Sequence, residues 1–316
     1  MVSYGEGEFS YQLQKNWAQI PEGSSFIDVC SIAVDHNDRV YVFNRSENPI
    51  MVFNHDGRLL TSWGKKYFTR PHGSCVSSDG SIFCTDDMTH IVTKFTGDGE
   101  VLMTLGTKDK PSDTGYREAP DLWERISSIK RGGPPFNRPT GVALSSKGEI
   151  YVSDGYANAR VHKFNENGKL LFSWGEPGPG PGQFRLPHEV RTDKKDRVWV
   201  PDRENSRIQV FNEKGKFLSQ WTDLIRPTDL HIDDSGTVFV SELCSRISIF
   251  ASNGARSPRL LTRWGNEKQS SNDRLFVAPH AIAVDSEGSI YVGEVAVTYA
   301  KIDRGARTIQ KFIRRR

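Results

Sequence analysis

No run of about 18 consecutive apolar residues occurs anywhere in the 316-residue chain, so no segment reads as a membrane-spanning helix. Cysteine is scarce. Cys30, Cys75, Cys84 and Cys244 form no CxxC motif and no regular spacing, which argues against a disulfide framework and for a reduced compartment. A dominant charge of one sign is missing too. The 42 Lys and Arg against 39 Asp and Glu leave a formal net charge of +3, too little by itself to argue for nucleic acid. The Arg314-Arg315-Arg316 tail reads as a solvated end. The opening residues, Met-Val-Ser-Tyr-Gly-Glu-Gly-Glu, have neither the basic start nor the apolar stretch of a secretory leader. Together these absences predict a cytoplasmic protein with no membrane and no nucleic-acid partner.

What is present is repetition. Six segments share one pattern, a strand, a tight turn and an aromatic-rich strand ending in an acidic or polar residue. They are Ser31 to Arg45, Gly73 to Asp87, Gly141 to Gly155, Glu189 to Arg203, Asp229 to Leu243 and Ala281 to Val295. Their turns read Asp79-Gly80, Lys147-Gly148, Ser235-Gly236 and Glu287-Gly288, with Asn37-Asp38 and Lys195-Asp196 as variants. Such dipeptides tolerate positive φ between β-branched and aromatic neighbours. A third strand ends at Phe53, Phe95, Phe164, Phe211 or Phe250. A fourth closes at Trp63-Gly64, Leu105-Gly106, Trp174-Gly175, Trp221 or Trp264-Gly265.

Four short strands recurring at roughly 40 residues predict propeller blades. Length alone would suggest two domains, but repeat folds break that rule. The fold class is therefore all-β, a six-bladed β-propeller forming a single domain over residues 1–316. The sixth unit ends at Phe312 without a fourth strand, and Tyr11 to Trp17 reads as the strand that completes it. A ring closed in this way has no exposed sheet edge.

Aligned on the residue before the first strand, the units carry Cys30, His72, Thr140, His188, Thr228 and His280. Histidine stands in units two, four and six and in no other. In a six-fold ring, alternate blades are related by a three-fold axis, so three imidazoles at one height converge on the channel. Three histidines with an open fourth position make a catalytic zinc arrangement. Any one of them alone is more simply a polar cap on an inner strand; strict alternation is what favours a metal. Pro71, Pro187 and Pro279 stiffen the approach to each of these strands.

The same alignment locates the mouth. The second strand returns to the histidine side, where the residues that follow it include Arg45, Tyr156 and Arg203. The connection from Thr107 to Phe136 opens on this side as well, with a short helix expected around Asp121 to Ile129, and inserted loops on one face commonly build the pocket. Arg45 or Arg203 alone is more simply a surface ion-pair partner. Asp86, Asp154, Asp202, Glu242 and Glu294 share one repeat position and are expected to stabilise the blade turns. Cys30 reads as a buried thiol, and the Gly-Pro run from Glu176 to Gln183 as a stiff connector.

Two stretches are more specific. One runs Phe136-Asn137-Arg138-Pro139-Thr140-Gly141-Val142-Ala143 and continues to Tyr151-Val152-Ser153-Asp154-Gly155-Tyr156. The other runs Leu186-Pro187-His188 and continues to Asp202-Arg203-Glu204-Asn205-Ser206-Arg207-Ile208-Gln209. With Trp174-Gly175-Glu176 and Pro181-Gly182-Gln183-Phe184 between them, they resemble the peptidyl-α-hydroxyglycine α-amidating lyases, within the broader class of NHL-repeat propellers. The resemblance covers most of the propeller and is strongest in units three and four.

It implies a zinc ion on His72, His188 and His280, a tyrosine general base at Tyr156, and active-site arginines at Arg45 and Arg203. Zinc and arginine nearby would acidify the phenol that takes the substrate proton. The implied reaction cleaves the C–N bond of a carbinolamide to an amide and an aldehyde. The resemblance also implies calcium on the backbone carbonyls of Ile32 and Ser74 and on an aspartate after the third histidine. Here that residue is Ala281, and losing an anionic ligand weakens or abolishes such a site. The cysteines of the lyases' disulfides are replaced by Ala157, Trp199 and Val210.

The reading that follows is a zinc lyase acting on a small N-(hydroxyalkyl)amide. Two alternatives remain open on the same scaffold: a zinc hydrolase opening a lactone, ester or amide with metal-bound water, and a non-catalytic NHL interaction scaffold.

Overall fold

The turn dipeptides do form hairpins, and the reason is visible at each. Asp35, Asp193 and Asp285 each accept the amide two residues on and the amide four residues on, so one carboxylate folds the chain back. The residue at the tip then has positive φ, 56° at Asp38, 54° at Asp196 and 81° at Gly288. Glycine or a short polar residue is needed there because a larger Cβ would clash with the backbone.

The computed structural model describes residues 2–252, 258–265 and 274–315; Arg316 of the basic tail lies outside them. Its described strands form six antiparallel sheets of at least four strands, five of them in sequential order and the sixth joining N-terminal to C-terminal strands, the fold class of a six-bladed β-propeller. The chain divides into two units, Phe68–Pro227 and the pair of segments Met1–Tyr67 and Thr228–Arg316.

The Phe68–Pro227 unit holds blades 2, 3 and 4. Blade 2 runs Pro71–Val76, Ile82–Asp86, Ile91–Phe95 and Val101–Gly106. Blade 3 runs Pro139–Leu144, Ile150–Asp154, Arg160–Phe164 and Leu170–Trp174. Blade 4 runs Arg191–Thr192, Val198–Asp202, Arg207–Phe211 and Phe217–Trp221. Its first strand is short, yet the His188 amide still donates to the Pro201 carbonyl at 2.8 Å. Second strands are buried on both faces where blades of the unit stack on one another. Val198, Trp199 and Val200 have no exposed surface, and Val198 and Val200 share a cluster with Ala143 and Val161 of blade 3. Each such aliphatic side chain contributes about 1.5–3 kcal/mol of burial free energy.

The other unit holds blade 1 (Val29–Val34, Val40–Asn44, Ile50–Phe53, Leu59–Trp63) and blade 5 (Pro227–Ile232, Thr237–Glu242, Arg246–Ser252, Pro258–Gly265). Blade 6 comprises Pro279–Val284, Ile290–Glu294 and Ile309–Arg314. Its fourth strand comes from the N-terminus, as expected, but spans Phe9–Gln14 and pairs Tyr11 with Arg314 and Leu13 with Phe312. Tyr4–Glu6 adds a fifth strand beyond it. Trp17 packs edge-on against Tyr291 of the same unit at 4.9 Å between centroids.

The shared acidic position has a defined task. Asp202 accepts the amides of Arg185 and Leu186, Asp86 those of Thr69 and Arg70, and Glu294 those of Val277 and Ala278. In each case the second amide belongs to the residue two positions before a histidine, so the carboxylate holds the chain just where it delivers that histidine. Burial pushes Asp202 and Glu294 above the usual carboxylate range, and these hydrogen bonds and neighbouring arginines pull the other way. The Gly-Pro connector is likewise tied down, since Arg207 donates to the carbonyls of Pro179, Gly180 and Gln183. None of the four cysteines is in a disulfide among the described residues.

Candidate functional site

His72 lies at the beginning of the inner strand of blade 2 and His188 just before that of blade 4, and each is only 1% exposed. Their rings lie 4.9 Å apart between centroids, with ligand nitrogens within 4.8 Å of one another. The Nδ1 of His72 donates to the Thr140 carbonyl at 2.7 Å. A carbonyl can only accept, so Nδ1 carries a proton and Nε2 of the neutral ring presents its lone pair. That Nε2 faces the Tyr156 hydroxyl at 3.1 Å, and the Nε2 of His188 faces the same oxygen at 3.5 Å.

Threonine at the alternate position supports this arrangement. Thr140 donates its hydroxyl to the Pro187 carbonyl at 2.7 Å, bracing the residue before His188. In the other unit the pattern repeats: Thr228 donates to the Pro279 carbonyl at 3.1 Å, and the Nδ1 of His280 donates to the Cys30 carbonyl at 2.8 Å. Outer bonds of this kind fix the tautomer and orientation of a metal-ligating histidine. The polar residues between the histidines are thus their braces. Cys30 adds a thiol hydrogen bond to the Phe43 carbonyl.

Tyr156 follows the second strand of blade 3 and is 9% exposed. The insertion between blades 2 and 3 forms the expected helix, Leu122–Ser128, capped by the Asp121 carboxylate on the Glu124 amide. Its Ile126 packs with Tyr156 and Leu186, so the insertion seats the phenol. Three guanidinium groups surround the ring: Arg70 and Arg138 at 5.3 Å and Arg203 at 5.6 Å from its centroid. Arg203 also reaches the phenol oxygen at 3.5 Å.

Burial works against the charge of Arg203, but Tyr156 and Glu204 outweigh it and raise its pKa. Burial likewise opposes ionisation of Glu204, yet Arg203 and Arg226 hold its carboxyl below the usual range. Asp87 pairs with both Arg70 and Arg138. The three guanidinium groups around the phenol are met by the carboxylates of Asp87, Glu118 and Glu204.

His72, His188, Tyr156 and Arg203 come together within the Phe68–Pro227 unit. Arg45 and His280 belong to the other unit, where Arg45 pairs with Asp28 at 3.2 Å and with the Thr298 hydroxyl at 3.0 Å. Arg70 and Arg138 escaped the sequence reading. Both stand two residues before the histidine position, as does Arg226, so tabulating that column for arginine would have exposed them. A cavity of about 410 Å³ adjoins Arg138 and is lined also by Met88, His90, Tyr116, Glu118 and Asn137. A cavity of about 510 Å³ in the other unit, lined by residues such as Leu13, Leu275 and Gln310, contains no predicted site residue.

The NHL repeat model matches residues 136–164 and 184–211, the two stretches that carry Tyr156 and the His188–Arg203 segment. Human NHL repeat-containing protein 3 is 30% identical over 99% of this chain and 86% of its own. Peptidyl-α-hydroxyglycine α-amidating lyase 2 of Drosophila melanogaster is 27% identical over 91% of this chain and 73% of its own. Among solved structures, virginiamycin B lyase from Staphylococcus aureus superposes with a TM-score of 0.60 over 96% of this chain and 99% of that one, at 18% identity, which speaks to the propeller fold alone. No described helix is long and apolar enough to cross a membrane. The chain belongs to the NHL-repeat family of β-propellers, among the relatives of NHL repeat-containing protein 3 and the peptidyl-α-hydroxyglycine α-amidating lyases.

Proposed function

We propose that this protein is a zinc-dependent lyase that cleaves the C–N bond of a small N-(hydroxyalkyl)amide, with His72, His188 and His280 holding the metal. The observation that carries the reading is the pair of buried Nε2 atoms aimed at one phenol oxygen, with the His72 Nδ1 committed to a carbonyl. His280 makes the equivalent Nδ1 bond in its own unit, to the Cys30 carbonyl of blade 1. Imidazole donors of this kind suit zinc. Zinc, when bound, would act as a Lewis acid that eases loss of a proton from a hydroxyl group.

The residues of the chain divide the remaining work. Tyr156 takes the proton of the substrate hydroxyl. As the carbonyl forms, the C–N bond breaks with its electron pair going to nitrogen, and nitrogen takes up a proton, giving an amide and an aldehyde or keto acid. Arg203, fixed by Glu204, orients a substrate carbonyl or carboxylate beside the phenol, and Arg45 serves the same substrate from blade 1. Similarity to an amidating lyase over most of the chain supports this chemistry.

The test is elemental analysis of protein purified without added metal, followed by turnover of an N-acyl-α-hydroxyglycine in ¹⁸O-labelled water. About one zinc per chain, lost in a folded His72→Ala/His188→Ala/His280→Ala variant, and product carboxyl groups free of label support the lyase. Label in a product carboxyl group would mean hydrolysis instead. Absence of metal and of turnover would leave an interaction scaffold.

A further inference from the structure

Calcium, the second metal that the resemblance implies, does not fit the residues present. One of its carbonyl ligands would be Ser74, and that oxygen is already engaged by an arginine. Arg191 leaves the short first strand of blade 4, and its Nη1 donates to the carbonyls of Ser74 in blade 2 and Val142 in blade 3, at 3.4 Å each. The same Nη1 lies 3.5 Å from Oε1 of Glu189, whose side chain is 5% exposed. Oε1 of Glu189 is itself fixed by the Val190 amide at 3.0 Å.

Two glycines make room for this pair. A Cβ on Gly141 would stand 1.8 Å from Oε1 of Glu189, and one on Gly73 would stand 3.2 Å from Oε2. Real Cβ atoms do not approach oxygen at 1.8 Å, so the Glu189 carboxylate occupies a cleft that only glycine leaves open. The ion pair is therefore built into three inner strands.

The residue after the histidine position is Ala281 in blade 6 but Glu189 in blade 4 and Asp229 in blade 5. A divalent cation seated on the Ser74 carbonyl would face a permanently charged guanidinium, which cannot be deprotonated to make way.

We propose that Arg191 is a built-in replacement for the calcium ion: its guanidinium supplies the positive charge that gathers the inner-strand carbonyls of blades 2 and 3 and neutralises Glu189. The protein consequently binds no calcium at this position and owes none of its stability to it.

The experiment compares full-length wild type with Arg191→Met, which removes the charge and keeps the apolar stem. Each is stripped with EGTA, analysed for calcium, and melted with and without added Ca²⁺. Wild type is expected to carry no calcium and to melt at the same temperature in EGTA and Ca²⁺. Arg191→Met is expected to melt about 5–10 °C lower, because the buried Glu189 carboxylate loses this guanidinium, and to regain part of that loss in Ca²⁺. Tightly held calcium in wild type would overturn the proposal. So would an unchanged melting temperature in Arg191→Met, or a lowered one that Ca²⁺ does not raise. Should Arg191→Met fail to fold, Arg191→Lys keeps the charge with fewer donors. It is expected to fold and melt below wild type without calcium; a Lys variant that also fails to fold would count against the charge role.

Discussion

His72 Nε2 lies 3.1 Å from the Tyr156 hydroxyl, a contact between residues 84 positions apart that joins the histidine of blade 2 to the loop of blade 3. Removing the hydroxyl while keeping the ring isolates its role. Tyr156→Phe is expected to lower kcat by about 10²–10⁴-fold, since it deletes a proton acceptor and leaves the packing on Ile126 intact. Steady-state kinetics with parallel zinc analysis checks this; retained turnover would remove Tyr156 from the chemistry.

The brace behind the second histidine is testable without touching a ligand. Thr140→Val keeps the shape but deletes the hydroxyl that holds the Pro187 carbonyl at 2.7 Å. Metal affinity should fall by about 10-fold, measured by competition with a chromophoric chelator. His188→Ala in the same assay should lose the metal altogether, with an unchanged far-ultraviolet dichroism spectrum.

Asp202 carries a structural load at the blade 4 turn. It accepts two backbone amides and pairs with the buried Arg207 at 2.9 Å. Asp202→Ala leaves that guanidinium without its partner and is expected to cost about 3–5 kcal/mol in urea unfolding. Asp202→Asn, which keeps one acceptor oxygen, should cost less; equal losses for both would mean that charge, not amide capture, is what matters.

Acid sensitivity should trace in part to Glu204. Arg203 and Arg226 hold its folded-state pKa below the ordinary glutamate value, although burial opposes this. A depressed carboxylate contributes stability that is complete above the unfolded value and is lost as pH falls through the folded one. Melting temperatures followed downward from pH 6 should therefore drop less steeply in Glu204→Gln than in wild type below about pH 4.5. Asp202 and Glu294, raised by burial, titrate in the opposite sense in both proteins, so the difference between the two profiles isolates Glu204.

Much of the fold was written in local pattern. A turn such as Asp35 to Arg39 is specified by a carboxylate and the amides two and four residues on, all within reach in the sequence. The helix at Leu122–Ser128 has its cap at Asp121, again a neighbour. The N-terminal strand was legible because blade 6 ended one strand short, although its start at Phe9 and the additional Tyr4–Glu6 strand were not. The Phe9–Gln14 strand joins blade 6 through residues some 300 positions away, as Tyr11 with Arg314 shows, whereas Tyr4–Glu6 folds back on Phe9–Tyr11 as a hairpin that no blade repeat announces.

By itself, the sequence determined the six-fold repeat and the alternation of His72, His188 and His280, because a repeat makes equivalent positions comparable without knowing where they lie. Only the tertiary structure decided which nitrogen of His72 is turned to the Tyr156 hydroxyl, since that depends on a carbonyl from the next blade holding the other. It alone brought Arg70, Arg138 and Arg203 around one phenol and laid Arg191 across the Ser74 and Val142 carbonyls. The physical reason is that a side chain's charge acts on whatever packs within a few ångströms of it. In a propeller those neighbours come from other blades, tens of residues away along the chain.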